Sequence, residues 1–346
     1  MKAEVEVPPP PSLLSGRSLI REFHDHLPIW FVYLSAIGLL HAAFANFPDQ
    51  GFHDVGIARQ QFVATTPFPL IWFTAYFVLR IRRSRRIQNP WKAYLALAGA
   101  VVGVPLLIIF GYRSHPLSHE QLTILFELTQ FTWVALFVAQ IALTRGWPAL
   151  LMFFGVTFVY GLMLENTGIV MHFFYEPSFH TYLGFLPAPL CTMLGWSLVF
   201  YIVISITEQL AQWVPWLAKP GAVWRRVAVA SALALSLDAQ LDPLASMSGV
   251  FWRWNELLPQ AFFGVPAINF AAWFGAIAAF SFFVFRIRDR DDWNPYRQNW
   301  ELFLRVPLAC AVAGGICFAI MTVVEGGFHG PSFQILRAFG HRLLPY

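Results

Sequence analysis

Residues 187–208 read PAPLCTMLGWSLVFYIVISITE, and the first charged side chain of this stretch is Glu208. An apolar run of this length crosses the hydrocarbon core of a bilayer as an α-helix, and a soluble core does not require it. Similar runs recur along the chain of 346 residues, of which 57% are hydrophobic and 12% charged. The pattern predicts an all-α, polytopic transmembrane helical bundle of about nine helices. The predicted spans are 28–47, 62–82, 91–112, 121–143, 147–165, 187–208, 222–243, 265–287 and 303–325.

Lysine and arginine are concentrated in every second loop between these spans. Two such loops carry the run RIRRSRR from Arg80 and the run RIRDR from Arg286. The positive-inside rule therefore places the N-terminus in the cytoplasm and the C-terminus outside. The polar residues 1–26, with prolines at 8–11, are expected to form a flexible cytosolic tail and not a signal peptide. Residues 27–346 are then a single transmembrane domain, and we expect a multi-pass protein of the cell inner membrane.

Composition and short motifs exclude several function classes. The net charge of +4 comes from basic residues in short loops, so the lipid bilayer, and no nucleic acid, is the expected partner. The chain has no glycine-rich phosphate loop, dinucleotide fingerprint or nucleophile elbow. His115 and His119 have metal-ligand spacing but lie in a loop beside Pro116, so no metal site is predicted. The cysteines lie in apolar stretches without CxxC spacing and are expected to be core residues; they are Cys191, Cys310 and Cys317.

Acidic side chains near the predicted outer ends of spans are the main candidates for chemistry. Asp238 and Asp242 are four residues apart and share one helix face. Burial and repulsion disfavour two negative charges there, so one carboxyl is expected to keep a proton and act as a general acid. Alternatively, Asp242 and Pro243 end the helix and point to water. Glu165, at the predicted end of the fifth span, is either a functional intramembrane acid or an exposed interfacial residue. Glu127, in the fourth span, is a weaker candidate that could pair with a neighbouring helix.

The predicted outer loops contain most of the remaining polar residues. They include His53 and Asp54, the stretch LENTGIVMHFFYEPSFH from Leu164, and the stretch LDAQLDPLASMSGVFWRWNE from Leu237. Since unpaired polar groups are costly in hydrocarbon, these loops are expected to fold back over a cavity as partly helical, partly re-entrant segments. The aromatic cluster after the aspartate pair either stabilises a carbocation through its π-faces or forms an interfacial belt. Its members are Phe251, Trp252, Trp254, Phe262 and Phe263.

A faint internal repeat relates the fifth and sixth spans to the seventh and eighth. Glu165, the sequence GFLP at 184–187 and Trp196 resemble Asp242, the sequence GVP at 264–266 and Trp273. The repeat suggests two similar hairpins that face one another. The alternative is that Gly and Pro before a helix, followed by Trp, are ordinary features of membrane proteins.

Three short motifs resemble a known family. They are LDP at Asp242 and Pro243, GxxWxW at Gly249, Trp252 and Trp254, and GVPxxNxxxW at 264–273 with Asn269 and Trp273. Together with LENTG and LPAPLCTMLGW, they resemble the CruF-like carotenoid biosynthesis family, the membrane carotenoid 1,2-hydratases related to bisanhydrobacterioruberin hydratase. The resemblance covers roughly residues 160–275. The chain departs from the pattern at Ala261 and Phe262, where a Tyr is expected, and at Ala271 and Ala272, where a Gly is usual.

The resemblance implies a cofactor-independent enzyme that adds water across the terminal C1–C2 double bond of a linear carotenoid ψ end group, giving a tertiary alcohol. The implied acid is Asp238 or Asp242 and the implied water-activating base is Glu165, although the two roles could be reversed. A carotenoid is the implied substrate, and other carotenoid-pathway enzymes are candidate partners. The implied substrate-binding residues are Asn166, His172, Tyr175, Trp252, Trp254, Asn269 and Trp273.

Two other functions compete with hydration. A membrane carrier or transporter of a hydrophobic small molecule would use intramembrane acids for proton coupling, but the chain lacks clear two-fold repeats. An isoprenoid transferase or cyclase would need a DDxxD-type magnesium site. The nearest acidic run, at 289–292, is interleaved with arginine and lies in a predicted cytoplasmic loop.

Overall fold

The structure is a computed structural model that describes residues 23–45, 55–83, 89–111, 117–176, 178–219, 221–248 and 251–343. Within these ranges, nine helices are long and apolar enough to cross a bilayer. The all-α bundle expected from the sequence is thereby confirmed, and the protein is a multi-pass membrane protein. Numbered as spans 1 to 9 in chain order, the helices are Leu27–Ala45, Arg59–Arg83, Pro90–Gly111, His119–Thr144, Gly146–Val170, Leu190–Trp213, Val223–Ser246, Ala267–Arg288 and Pro295–Val324.

Three of the spans are irregular. Span 2 combines the helices Val55–Thr65 and Pro67–Arg83, which meet where Pro67 cannot donate a backbone hydrogen bond. Spans 3 and 5 each contain a wider π-helical turn, at Gly99–Gly103 and Leu151–Val156. The flanking α-helical parts are Pro90–Ala98 and Val104–Gly111 in span 3, and Gly146–Leu150 and Thr157–Val170 in span 5.

Two helices that carry candidate acids extend several residues further at their C-terminal ends than the sequence predicted. Span 5 continues past Glu165 to Val170, so this acid lies within the helix. The helix of span 7 runs over Val223–Ser248 with Pro243 inside it. The alternative in which Asp242 and Pro243 end the helix is therefore wrong. A proline removes only one helical hydrogen bond, and spans packed on both sides hold the helix together.

The predicted outer loops, expected to be partly helical and partly re-entrant, contain short strands. Strand β1 (Phe174–Tyr175), after span 5, pairs antiparallel with β2 (Arg253–Trp254), after span 7. Strands β3 (Gln260–Phe262) and β4 (Val265–Pro266) form a hairpin before span 8. The first pairing joins two loops that are far apart in sequence, so it brings the ends of spans 5 and 7 to one place.

Span 6 is the centre of the bundle, and 78% of its most apolar window is buried. Gly161 lets span 5 approach span 6 closely. A Cβ added at Gly161 would lie 2.6 Å from the backbone oxygen of Met193 and 2.8 Å from Cβ of Trp196. After span 9 come a 3-10 turn, Gly327–His329, and an amphipathic helix, Pro331–Leu343, neither of which the sequence predicted.

Ion pairs join the basic ends of several spans. Arg145 after span 4 lies 3.2 Å from Glu208 in span 6, and Arg288 of span 8 contacts the same carboxylate. Arg226 of span 7 pairs with Asp289 at 2.8 Å. The basic loops therefore meet at one end of the bundle, as the positive-inside argument requires. That this end faces the cytoplasm remains a prediction.

Candidate functional site

The two aspartates of span 7 share one face and are bridged by an amide from span 8. Asp238 and Asp242 are both buried, and so is Asn269. The Asn269 Nδ2 donates to both carboxylate oxygens of Asp238 at 3.2 Å and to Oδ2 of Asp242 at 2.5 Å. The shared amide donor thus brings the two carboxyl groups together on one face of span 7.

Glu165 of span 5 lies on the same cavity. Its carboxylate accepts a hydrogen bond from Nε1 of Trp196 at 2.5 Å. Trp196 is a span 6 residue next to the close approach at Gly161, so the packing of two spans positions this acid. Glu165 is also close enough to Asp242 for their charges to interact. The exposed interfacial alternative for Glu165 is thus replaced by a partly buried acid facing an internal cavity.

Glu176 is a fourth acid, which the sequence did not single out. It follows β1, is buried, and accepts a hydrogen bond from the Thr192 hydroxyl at 3.2 Å. Burial, followed by the charges of Glu165 and Asp242, raises the pKa of Glu176 well above its ordinary value, and the Thr192 hydrogen bond offsets only part of this. Glu176 therefore favours the protonated form, which makes it a second candidate acid.

A cavity of about 860 Å³ connects these groups. Its wall is mostly apolar and aromatic, as expected for a hydrocarbon ligand. Three of the four acids line it, whereas Asp238 lies behind Asp242 and reaches it only through Asp242 and Asn269. The polar side chains in the lining are Ser35, Thr129, Gln130, Glu165, Thr167, Glu176, Thr192, Gln240, Asp242 and Asn269.

Indole rings form part of the cavity wall. The rings of Trp196 and Trp273 lie 4.5 Å apart between centroids, and Trp252 and Trp254 also line the cavity. Phe251 of the predicted aromatic cluster lines it too, whereas Phe262 and Phe263 do not and pack on each other in the β3–β4 hairpin. Gly249 of the same motif lies outside the described residues.

Three residues predicted to bind substrate lie away from the cavity lining. Asn166 binds the backbone instead: its Oδ1 accepts from the Ala188 N–H at 3.1 Å, which fixes the start of span 6. His172 has a left-handed backbone with φ of 63°, so the chain does not continue as a helix there. The His172 ring lies 3.2 Å from the hydroxyl of the exposed Tyr175. The helix ends at Val170, so His172 and Tyr175 lie in the loop that follows it.

Glu127 anchors a loop and does not line the cavity. Its Oε1 accepts from the backbone N–H groups of His180 and Thr181 at 2.9 and 3.0 Å. Its Oε2 lies 3.3 Å from the His180 ring. The expected pairing with a neighbouring helix is therefore a pairing with the loop before span 6.

No group of three or more metal-ligating side chains occurs among the residues whose positions the structure describes. His53, Asp54 and His115 lie outside that set, and His119 is the first residue of span 4.

The two hairpins of the internal repeat do meet in the structure. Trp196 and Trp273 occupy equivalent positions and pack on each other. Glu165 and Asp242 also occupy equivalent positions and face the same cavity. The tertiary contact agrees with two facing hairpins, although the repeat itself remains a hypothesis.

Comparison with known proteins gives one match. Residues 121–334, more than half of the chain, match a family described as "Carotenoid biosynthesis protein". No curated protein and no solved structure matches the chain significantly. The matched segment begins in span 4 and ends in the helix after span 9, and it contains Glu165, Glu176, Asp238 and Asp242.

Proposed function

Since this chain belongs to the carotenoid biosynthesis protein family, we propose that it adds water to the terminal C1–C2 double bond of a linear carotenoid ψ end group, giving a tertiary alcohol. The enzyme would be a hydro-lyase that works without a cofactor. Its acids would supply and remove the protons, and its cavity would exclude bulk water.

The observation that carries the proposal is a pair of buried aspartates bridged by Asn269, one of which, Asp242, lines an aromatic, apolar cavity. An alkene is a weak base, so its protonation needs a neutral carboxylic acid in contact with it and a means to stabilise the resulting cation. Asp242 lines the cavity and is the group placed to donate. Asp238 lies behind it on the same helix face, shares the Asn269 amide and would relay a replacement proton to Asp242. Asn269, which donates to both, holds the pair in register.

The reaction balances with these groups. The acid transfers a proton to the less substituted carbon, C2, using the π-electrons of the double bond to form the new C–H bond. The tertiary cation at C1 then lies against indole faces, which stabilise a positive charge through their quadrupoles. Water attacks C1, and a carboxylate accepts the proton that water releases. The net change is the addition of one water molecule, with no oxidation or reduction.

Glu165 and Glu176 are the acids placed to handle this water. The Trp196 indole N–H fixes Glu165, the better candidate for the base, while burial keeps Glu176 in its protonated form. Two residues that line the cavity carry a buried polar atom without a hydrogen-bond partner among the described residues. These atoms are Oε1 of Gln130 and Nε1 of Trp254. A polar atom in the cavity could bind to either. A water molecule between them and the glutamates would satisfy groups that are costly to leave unpaired.

The test is expression in a bacterial host that makes lycopene, followed by chromatography and mass spectrometry of the pigments. We expect products heavier by one or two waters. Asp242→Asn, Glu165→Gln and Trp196→Phe should each lower conversion. Asp292→Asn, at an exposed loop residue far from the cavity, is the matched control and should leave conversion unchanged.

Two outcomes would contradict the proposal. Unchanged pigment with lycopene and with longer linear carotenoids would remove the hydratase assignment and favour the carrier hypothesis. Full activity in the Asp242 and Glu165 variants would leave hydration in place but move the chemistry away from this cavity.

A further inference from the structure

The cavity reaches the outer surface of the bundle between spans 5 and 9. On span 5, Met163 and Thr167 line the cavity and are also exposed. On span 9, Gly314 and Gly315 likewise line the cavity and are exposed. Residues that belong to both an internal cavity and the outer surface mark an opening. We call the opening between these four residues the lateral window.

Contacts of span 9 with span 5, and with the loop that follows span 5, bound the lateral window on either side. Toward the outer loops, the rings of Phe173 and Phe318 approach to 6.4 Å between centroids. Toward the other end, Tyr160 of span 5 and Cys310 of span 9 both line the cavity and are close enough to interact. Further along, Nδ2 of Asn299 donates to the Pro148 carbonyl at 2.7 Å. Contacts therefore lie on both sides of the gap along the two helices, so the gap is a bounded opening in the bundle.

The two glycines keep the lateral window open. A Cβ added at Gly314 or at Gly315 meets no atom within 4 Å, so no side chain of the described residues fills the space beside them. Both lie in a regular helix, where glycine is less favourable than alanine. The backbone conformation at Gly314 and Gly315 does not require glycine, so these residues matter here because they lack side chains that would fill the opening.

We infer that the lateral window is the passage by which the hydrocarbon chain of an acyclic isoprenoid enters from the bilayer and reaches the acids. This inference rests on the proposed function. The window lies within two membrane spans, so it opens to lipid tails, in which such a chain is dissolved, and not to water. Met163, Thr167 and Glu165 all line the same cavity, so an end group that passes the window enters the space that contains the acids.

A second opening between spans 1 and 4 is the alternative route. Gly38 and Leu125 line the cavity there and are exposed. The acid on that side, Glu127, is bound to loop backbone and does not face the cavity. The first route is therefore the one that leads to the acids.

Bulky substitutions at the lateral window test the inference. In membranes that contain a linear carotenoid, Gly314→Trp and Gly315→Trp should each lower its conversion by about tenfold or more, because the indole fills the opening. Ala319→Trp, at an exposed residue of the same span outside the cavity lining, should stay close to wild type. Gly38→Trp, at the alternative route, should lower conversion less than either window variant does. Protein level and thermal stability of each variant show whether it has folded.

A capture experiment tests the passage independently of hydration. Met163 is replaced with the photoreactive residue p-benzoylphenylalanine, and the membranes are irradiated in the presence of the carotenoid. Covalent capture should be several-fold greater than with the same residue at Val323, which is 76% exposed and does not line the cavity. Capture without hydration would leave the window correct and the proposed reaction wrong. Equal capture at both positions, or a loss of conversion in Gly38→Trp but not in Gly314→Trp, would overturn the inference.

Discussion

Replacing Asn269 with leucine tests the central arrangement of the site without depending on the reaction. The substitution keeps a similar volume but removes the amide that donates to Asp238 at 3.2 Å and to Asp242 at 2.5 Å. Each buried acceptor left without its donor costs about 1 to 3 kcal/mol. Hydrogen bonds inside membrane proteins fall at the low end of such ranges. We therefore expect the variant to lose about 2 to 3 kcal/mol of unfolding free energy.

The assay is reversible unfolding in mixed micelles with increasing sodium dodecyl sulfate, followed by tryptophan fluorescence. Asn299→Leu is the matched control, since Asn299 makes one hydrogen bond to a neutral carbonyl. It should cost only about 1 kcal/mol. A double-mutant cycle with Asp242→Leu isolates the interaction, and we expect a coupling energy of about 1 kcal/mol or more. Additivity within about 0.5 kcal/mol would show that Asn269 does not hold the pair, and the reasoning would be refuted.

Two further predictions concern stability alone. The fold raises the pKa of Glu176, so this group stabilises the protein below its unfolded-state pKa and loses that contribution as pH rises through the raised value. As pH rises from about 5 to about 9, the Glu176→Gln variant should therefore lose less thermal stability than the wild-type protein does. Superimposable pH profiles would contradict a raised pKa at Glu176. Gly161→Ala should destabilise the protein by about 1 to 3 kcal/mol, because its Cβ would overlap the backbone of span 6. Gly103→Ala should leave stability unchanged, because a Cβ added at Gly103 meets no atom within 4 Å. Equal losses of stability in both variants would argue against close packing at Gly161.

Much of the fold could be predicted because a bilayer constrains the sequence locally. Each span must satisfy its own backbone hydrogen bonds in hydrocarbon, so the apolar run by itself indicates a helix. Helix ends are less determined by local sequence. In the sequence, polar residues such as Glu165 and Asp242 suggest helix ends, yet both lie inside helices because other spans cover them.

The candidate site could be predicted in part. Asp238 and Asp242 share a face because of helical periodicity, which is readable from their spacing. Glu176 had no such signal, since it follows a two-residue strand and is brought to the cavity by pairing with a distant loop. A glutamate within an aromatic, polar loop looks the same in sequence whether it points to water or to a cavity.

The sequence by itself therefore determined the class of protein, the number and placement of its spans and the family resemblance, since hydropathy and short motifs are local properties. Only the tertiary structure decided which acids meet. The approach of span 5 to span 6 at Gly161, the pairing of β1 with β2 and the reach of Asn269 from span 8 are contacts between distant segments. No local pattern encodes them, because each depends on how whole helices pack.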